Sequence, residues 1–228
     1  MKNLIYLFLG MSLIGCGQYP NPNDLATIDP VHRVEVANKR LESAETTLDY
    51  KVKTREISDE RRNELIKELS DVMLTKVDPK AIPDTDQWMY GALLRVTGRW
   101  KEAEAALATA VKVAKNNDRK VNDTLKLAQA EAKNGKVEDA IKTANTVLDV
   151  PDADAAPILP SVLYEVVPAA QGKGHDRELA ELLTKAVECH RRVKVDPNSD
   201  AGKYFLVASA HHIGLAETKL SELAGSKN

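Results

Sequence analysis

The sequence predicts an all-α protein: a short stack of antiparallel helix hairpins behind an N-terminal export segment and tether. Three observations carry that expectation. Aromatic residues make up only 4% of the chain, Ala, Leu, Lys and Glu are abundant, and runs rich in Val, Ile, Thr and aromatics are nearly absent, so strands have little support. Apolar residues recur at the three-to-four spacing of a helix stripe, with Lys, Arg and Glu between them. A helix–Gly–helix pattern returns after 37 residues, with Gly98 and Gly135 in equivalent places. The formal charge of −2 is nearly balanced and gives no long-range steering toward nucleic acid.

The chain starts with Met1-Lys2-Asn3 and continues through an uncharged run, LIYLFLGMSLIG. At about 1.5 Å per residue the run covers roughly 18 Å, well short of a ~30 Å hydrocarbon core. Residues 1–15 therefore read as an export signal, not a spanning helix. Leu13-Ile14-Gly15-Cys16 resembles the lipobox of bacterial lipoproteins. The resemblance implies diacylglycerol on the Cys16 sulfur, cleavage before Cys16, and a further acyl chain such as palmitate on the new amine. Two or three chains would make release from a membrane very slow. The alternative is a plain secretory signal whose cysteine is incidental. Gly17-Gln18 follow the cysteine with no Asp. In a Gram-negative cell that resembles lipoproteins sent to the outer membrane, facing the periplasm. Lipidation of Cys16 would leave Cys189 without a disulfide partner, and Cys189 reads as a small buried hydrophobe.

Residues 16–30 form a lipidated tether, since Gln18 to Pro30 (QYPNPNDLATIDP) is rich in Pro, Asn and Asp. A helical hairpin follows over residues 31–79. Val34, Ala37, Leu41, Ala44 and Leu48 make the stripe of its first helix. Ser58 is the N-cap of the second, whose apolar face is Leu65, Ile66, Leu69, Val72 and Met73. Asp78-Pro79 and Pro83 end it.

Two repeats occupy residues 83–154. In each, an apolar helix meets Gly98 or Gly135, and an acidic residue and Ala follow, Glu102-Ala103 or Asp139-Ala140. Gly permits the turn, and the small Ala lets two helices cross closely. This pattern is similar to the tetratricopeptide repeat family. With Gly98 at that family's turn glycine, Gly91 takes its small first-helix position, and Ala103, Leu107 and Ala110 take its second-helix packing positions. In the second repeat the matches are Leu127, Ala128, Gly135, Ala140, Ala144 and Val147, with Pro151 near the closing proline. The period departs from that family's 34 residues, no closing proline follows Ala114, and the aromatic positions are mostly Leu or Ala. A generic helical bundle is the alternative.

Residues 155–228 are a degenerate repeat and a C-terminal capping helix. Prolines shorten Ala156 to Ala170 and predict a kink near Pro168. Gln171-Gly172-Lys173-Gly174 is a turn, Asp176 to Val193 a strong helix, and Asp196 to Asp200 a break. The last helix, Ala201 to Leu223, caps the stack, with a weak point at Gly214.

No catalytic or metal-binding pattern stands out. His211-His212 and Cys189-His190 are adjacent pairs, not the i, i+4 or Cys-x-x-Cys spacing of metal ligands. Gln171 to Gly174 lacks the strand and the Gly-Lys-Ser/Thr ending of a phosphate loop. No cofactor is expected.

What remains is a surface. The tetratricopeptide resemblance implies a concave groove lined by the first helix of each repeat. By position this offers Thr85, Trp88, Ala92 and Arg95, then Asn122, Leu125, Gln129 and Lys133. Trp88, Arg95, Asn122, Gln129 and Lys133 are the partner-binding candidates. Trp88 is the best anchor, with packing against the preceding hairpin as its other reading. That family's carboxylate-clamp pattern is not met, because Trp88 and Ala92 stand at its positions. The expectation is a non-catalytic, membrane-anchored interaction scaffold of the bacterial envelope, held through lipidated Cys16 and binding another envelope protein or peptide. The rival is a helical enzyme or ligand-binding lipoprotein with a site near His190 and His211.

Overall fold

The computed structural model describes residues 24–225. The expected export signal, Cys16 and the first part of the expected tether lie outside the described residues. Those described are all-helical, with no strand. Two short 3-10 turns, Leu25–Thr27 and Pro30–His32, each capped by an aspartate side chain, lead into α1, Arg33–Lys53. α2 spans Asp59–Leu74, and Ser58 caps it by accepting from the Arg61 N–H at 3.2 Å, worth about 1 kcal/mol. α3 (Gln87–Val96), α4 (Trp100–Val113), α5 (Asn117–Lys133) and α6 (Val137–Asn145) follow. Each packs on the next in sequence.

The two glycine turns are built alike. Gly98 (φ 76°) and Gly135 (φ 82°) lie in the left-handed region. Gly98 N–H donates to the Arg95 carbonyl and Arg99 N–H to Leu94; Gly135 N–H donates to Ala132 and Lys136 N–H to Glu131. This is the paired closure of a helix C-terminus that only Gly adopts without strain. Ala103 and Ala140 are fully buried where the helices cross. At Gly91 the crossing is closer still: a Cβ there would lie 2.8 Å from Leu107 Cγ.

The proline-rich stretch is one continuous run: α7 (Ile158–Ser161), a π-helical segment (Val162–Val166) and α8 (Val167–Ala170). The disturbance expected at Pro168 is taken up just before it. Pro168 supplies no N–H, and the preceding turn widens to the π pattern, with Val167 N–H donating to Val162. α9 (Asp176–Arg192) and α10 (Asp200–Gly225) pack on each other. α10 continues unbroken through Gly214, against the weak point expected there, because an isolated Gly lowers helix stability without ending a helix that packs elsewhere along its length.

Two hydrophobic cores result. One joins α1 to α4 and takes in Leu127 and Ala130; the other joins α6 to α10 and takes in Val121, Leu125, Ala128 and Ala132. α5 contributes to both. α1 buries Val34, Ala37 and Leu41 as its stripe predicts. Val72 departs from expectation: it is 62% exposed, since α2 packs chiefly on α1 and α3 and leaves Val72 uncovered. No helix among the described residues is long and apolar enough to cross a membrane.

Candidate functional site

The richest polar cluster centres on Arg95, in the last turn of α3. Its Nε donates to Gln129 Oε1 of α5 at 2.7 Å, and its Nη2 donates to Glu165 Oε2 of the π segment at 2.5 Å. One side chain thus ties together three helical segments separated by 34 and 70 residues in sequence. The guanidinium has only 15% of its side-chain surface exposed and Glu165 has 29%. Burial pushes the Arg95 pKa down, and the Glu165 carboxylate works against that. Breaking one side of an ion pair with this little water is costly, because it leaves a poorly solvated charge without its partner.

Two further groups face the cluster. Burial raises the pKa of Glu45 on α1, with Arg95 a weaker opposing influence. Burial lowers the pKa of Lys126 on α5, and the neighbouring Arg95 charge lowers it further, against Glu165 and Asp123. Lys126 makes no hydrogen bond or close ion pair with any described residue, and is half-buried.

The sequence-predicted residues divide. Arg95 and Gln129 meet directly. Asn122 sits one turn before Lys126 on the same stripe and makes only a long contact of 3.4 Å to Asp118. Trp88 is half-buried against the N-terminal core, and the Arg119 guanidinium covers one ring face, 3.9 Å from its centroid. Arg119 is itself fixed by an ion pair at 2.8 Å to Asp123, which is fully buried. Packing therefore occupies much of Trp88. Beside it, Thr85, Ala110, Val113, Asn116 and Arg119 line a cleft of about 230 Å³. Lys133 stands apart, exposed at the end of α5 and 5.8 Å over the Trp100 ring.

Sequence reasoning passed over Lys126, Glu165 and Glu45. Lys126 lay in plain view, four residues after Asn122 and three before Gln129. Glu165 had no such signal, because the π segment sets its direction.

The rival region is packed. His190 is buried, at 5.2 Å between ring centroids from Phe205 and 6.2 Å from His212. Its ring nitrogens lack well-formed hydrogen bonds, with only a marginal interaction with the Ala156 backbone. Burial lowers its pKa, and His212 adds to that. His212, not His211, adjoins His190; His211 points outward. No group of three or more His, Cys, Asp or Glu among the described residues is placed to hold a metal ion. The Gln171–Gly174 turn is held from within: Gly172 N–H donates to Asp176 at 2.7 Å, and Lys173 Nζ donates to the Ala132 carbonyl at 2.7 Å, closing the end of α5. Cys189 Sγ donates to the Leu148 carbonyl at 3.0 Å and is buried. The chain matches no protein-family model, no curated protein and no solved structure.

Proposed function

We propose that this chain is a non-catalytic protein–protein interaction scaffold of a bacterial envelope, anchored through lipid on Cys16. In this reading its helices form a short tetratricopeptide-like solenoid, and the face shared by α3, α5 and the π segment receives a segment of another envelope protein. The observation that carries the reading is the Arg95 clasp. It ties three helical segments into one polar surface and leaves Lys126 beside it, a half-buried ammonium with no hydrogen bond or close ion pair among the described residues. A half-buried cation is stabilised by a partner, so a carboxylate or a row of carbonyl oxygens from a bound peptide would complete this site. Rigid presentation lowers the ordering cost of binding, and membrane anchorage raises the local concentration of the two partners.

The test is a photoreactive amino acid placed at Gln129 in the full chain in its cell, with Lys142 on α6 as the comparison. The reading expects one discrete adduct from Gln129 that is lost on Lys126→Ala and absent from Lys142. No adduct, or the same adduct from both positions, would refute it. Anchorage is tested separately: Cys16→Ser should move the protein from the membrane to the soluble fraction, and full retention in membranes would remove the lipid from the proposal.

A further inference from the structure

We propose that α10 is a pH-controlled arm: it lies on α9 while His190 is neutral and swings away when His190 takes up a proton. α10 is lightly held. Of its 26 residues only Gly202, Ala216 and Leu223 are buried, with Ile213 and Leu220 partly packed against the C-terminal core. Its main packing neighbour is α9, and an irregular linker over residues 193–199 joins the two. A helix with so little buried surface opens locally at a lower cost than the whole chain unfolds.

The middle of α10 is held by a file of rings. His190 of α9 lies 5.2 Å from the Phe205 ring and 6.2 Å from the His212 ring, both of α10. His212 in turn meets Tyr164 of the π segment edge-on at 5.7 Å. His190 is 3% exposed, and neither its Nδ1 nor its Nε2 has a well-formed hydrogen bond; Nδ1 of His212 is also buried without a partner. This packing suits a neutral imidazole used as an apolar ring. A charged one would have neither water nor a counter-ion there. The charged groups nearby are engaged elsewhere: Arg191 with Glu217 of α10, Arg192 with Asp152, and Glu165 of the π segment with Arg95. Glu188 and Lys194, on the chain to either side of His190, are exposed, and His211 of α10 points outward. The titratable group facing His190 across the seam is His212. It opposes a charge on His190, as burial does, and only the Ala156 backbone favours one.

With α10 swung away, the ring meets water and regains its ordinary affinity for a proton. Proton uptake therefore favours the open form, and the hold on α10 is complete above about pH 6.5 and lost as pH falls below it. Where only the open form binds the proton, going from pH 7.5 to 5.5 multiplies the open population by about tenfold. The Arg191–Glu217 ion pair that also spans α9 and α10 is exposed on both sides and adds little to the hold.

The test is hydrogen–deuterium exchange of the full chain at pH 7.5 and 5.5, read by mass spectrometry and corrected for the intrinsic effect of pH on exchange. The inference expects amides of α10 to exchange up to about tenfold faster in acid, while those of α5 keep their protection. His190→Leu and His190→Phe should each abolish the difference, His212→Leu should shrink it, and His211→Ala should leave it unchanged. Equal loss of protection in α5 and α10 would overturn the inference, because the whole chain would then be unfolding. So would an α10 that keeps its protection at pH 5.5, an acid response that survives both His190 substitutions, or one that is lost on His211→Ala.

Discussion

Gly91→Ala sets two physical effects against each other. Replacing an interior helix Gly by Ala favours the helix by about 1 kcal/mol, and on propensity alone the protein would gain stability. At Gly91 the new Cβ would meet Leu107 Cγ at 2.8 Å and Cδ2 at 2.9 Å. Leu107 is fully buried, and the first contact is its branch carbon, so the whole side chain must move. Overpacking of this kind costs about 1–3 kcal/mol; because Leu107 is fully buried and cannot swing into solvent, the cost is expected in the upper half of that range. The net expectation is a loss of about 1–2 kcal/mol, or roughly 2–8 °C in Tm for a chain of this size. Gly214→Ala is the control, because nothing lies within 4 Å of its Cβ. It should raise stability by up to about 1 kcal/mol. The assay is urea or thermal unfolding followed by helical circular dichroism. Leu107→Ala should cost less in the Gly91→Ala background than alone, since it removes the clashing atoms. A Gly91→Ala protein more stable than the parent would refute the close crossing of α3 and α4.

Three further outcomes are expected. Arg95→Ala should destabilise by about 2 kcal/mol, and a double-mutant cycle with Glu165→Ala should return a coupling of about 1–2 kcal/mol; a coupling near zero would show that the pair holds nothing together. His190, whose pKa is lowered by burial from an ordinary 6.5, is protonated more readily unfolded than folded. Its stabilising contribution is therefore complete above about pH 6.5 and lost as pH falls below it. Relative to His190→Leu, the parent should lose stability between pH 7 and 5; parallel profiles would count against this. Cys189, buried, bonded to Leu148 and with a raised pKa, should resist alkylation at pH 8 in the folded chain and react fully in denaturant, as read by peptide mass spectrometry; prompt labelling of the native protein would contradict its burial.

Much of the helical order was legible from local signals. Gly98 and Gly135 announced identical turns, Ser58 its cap, and the stripe from Val34 to Leu41 its buried face, because each depends on residues within one or two turns. Arg95 and Gln129 were legible as residues of one surface only through the resemblance to tetratricopeptide repeats, which implies a groove lined by the first helix of each repeat. Their contact partner Glu165 was not. Its direction depends on a π turn placed before Pro168, and an expected kink does not say which way a wider turn rotates the side chains around it. Val72 failed for a related reason: periodicity tells which residues share a face, while the neighbours of α2 decide how much of that face is covered. Trp88 and Lys133 lay on helices as expected but were engaged by Arg119 and Trp100, contacts that no spacing along the chain specifies.

The placement of α5 in both cores governs how the molecule would come apart. Its Leu127 and Ala130 belong to one half and its Val121, Leu125, Ala128 and Ala132 to the other, so neither half owns a separate border. Stripping away the N-terminal helices would bare Leu127 and Ala130, and stripping away the C-terminal ones would bare the opposite flank of the same rod. Loss of either half therefore uncovers apolar surface on α5, which couples the unfolding of the two halves.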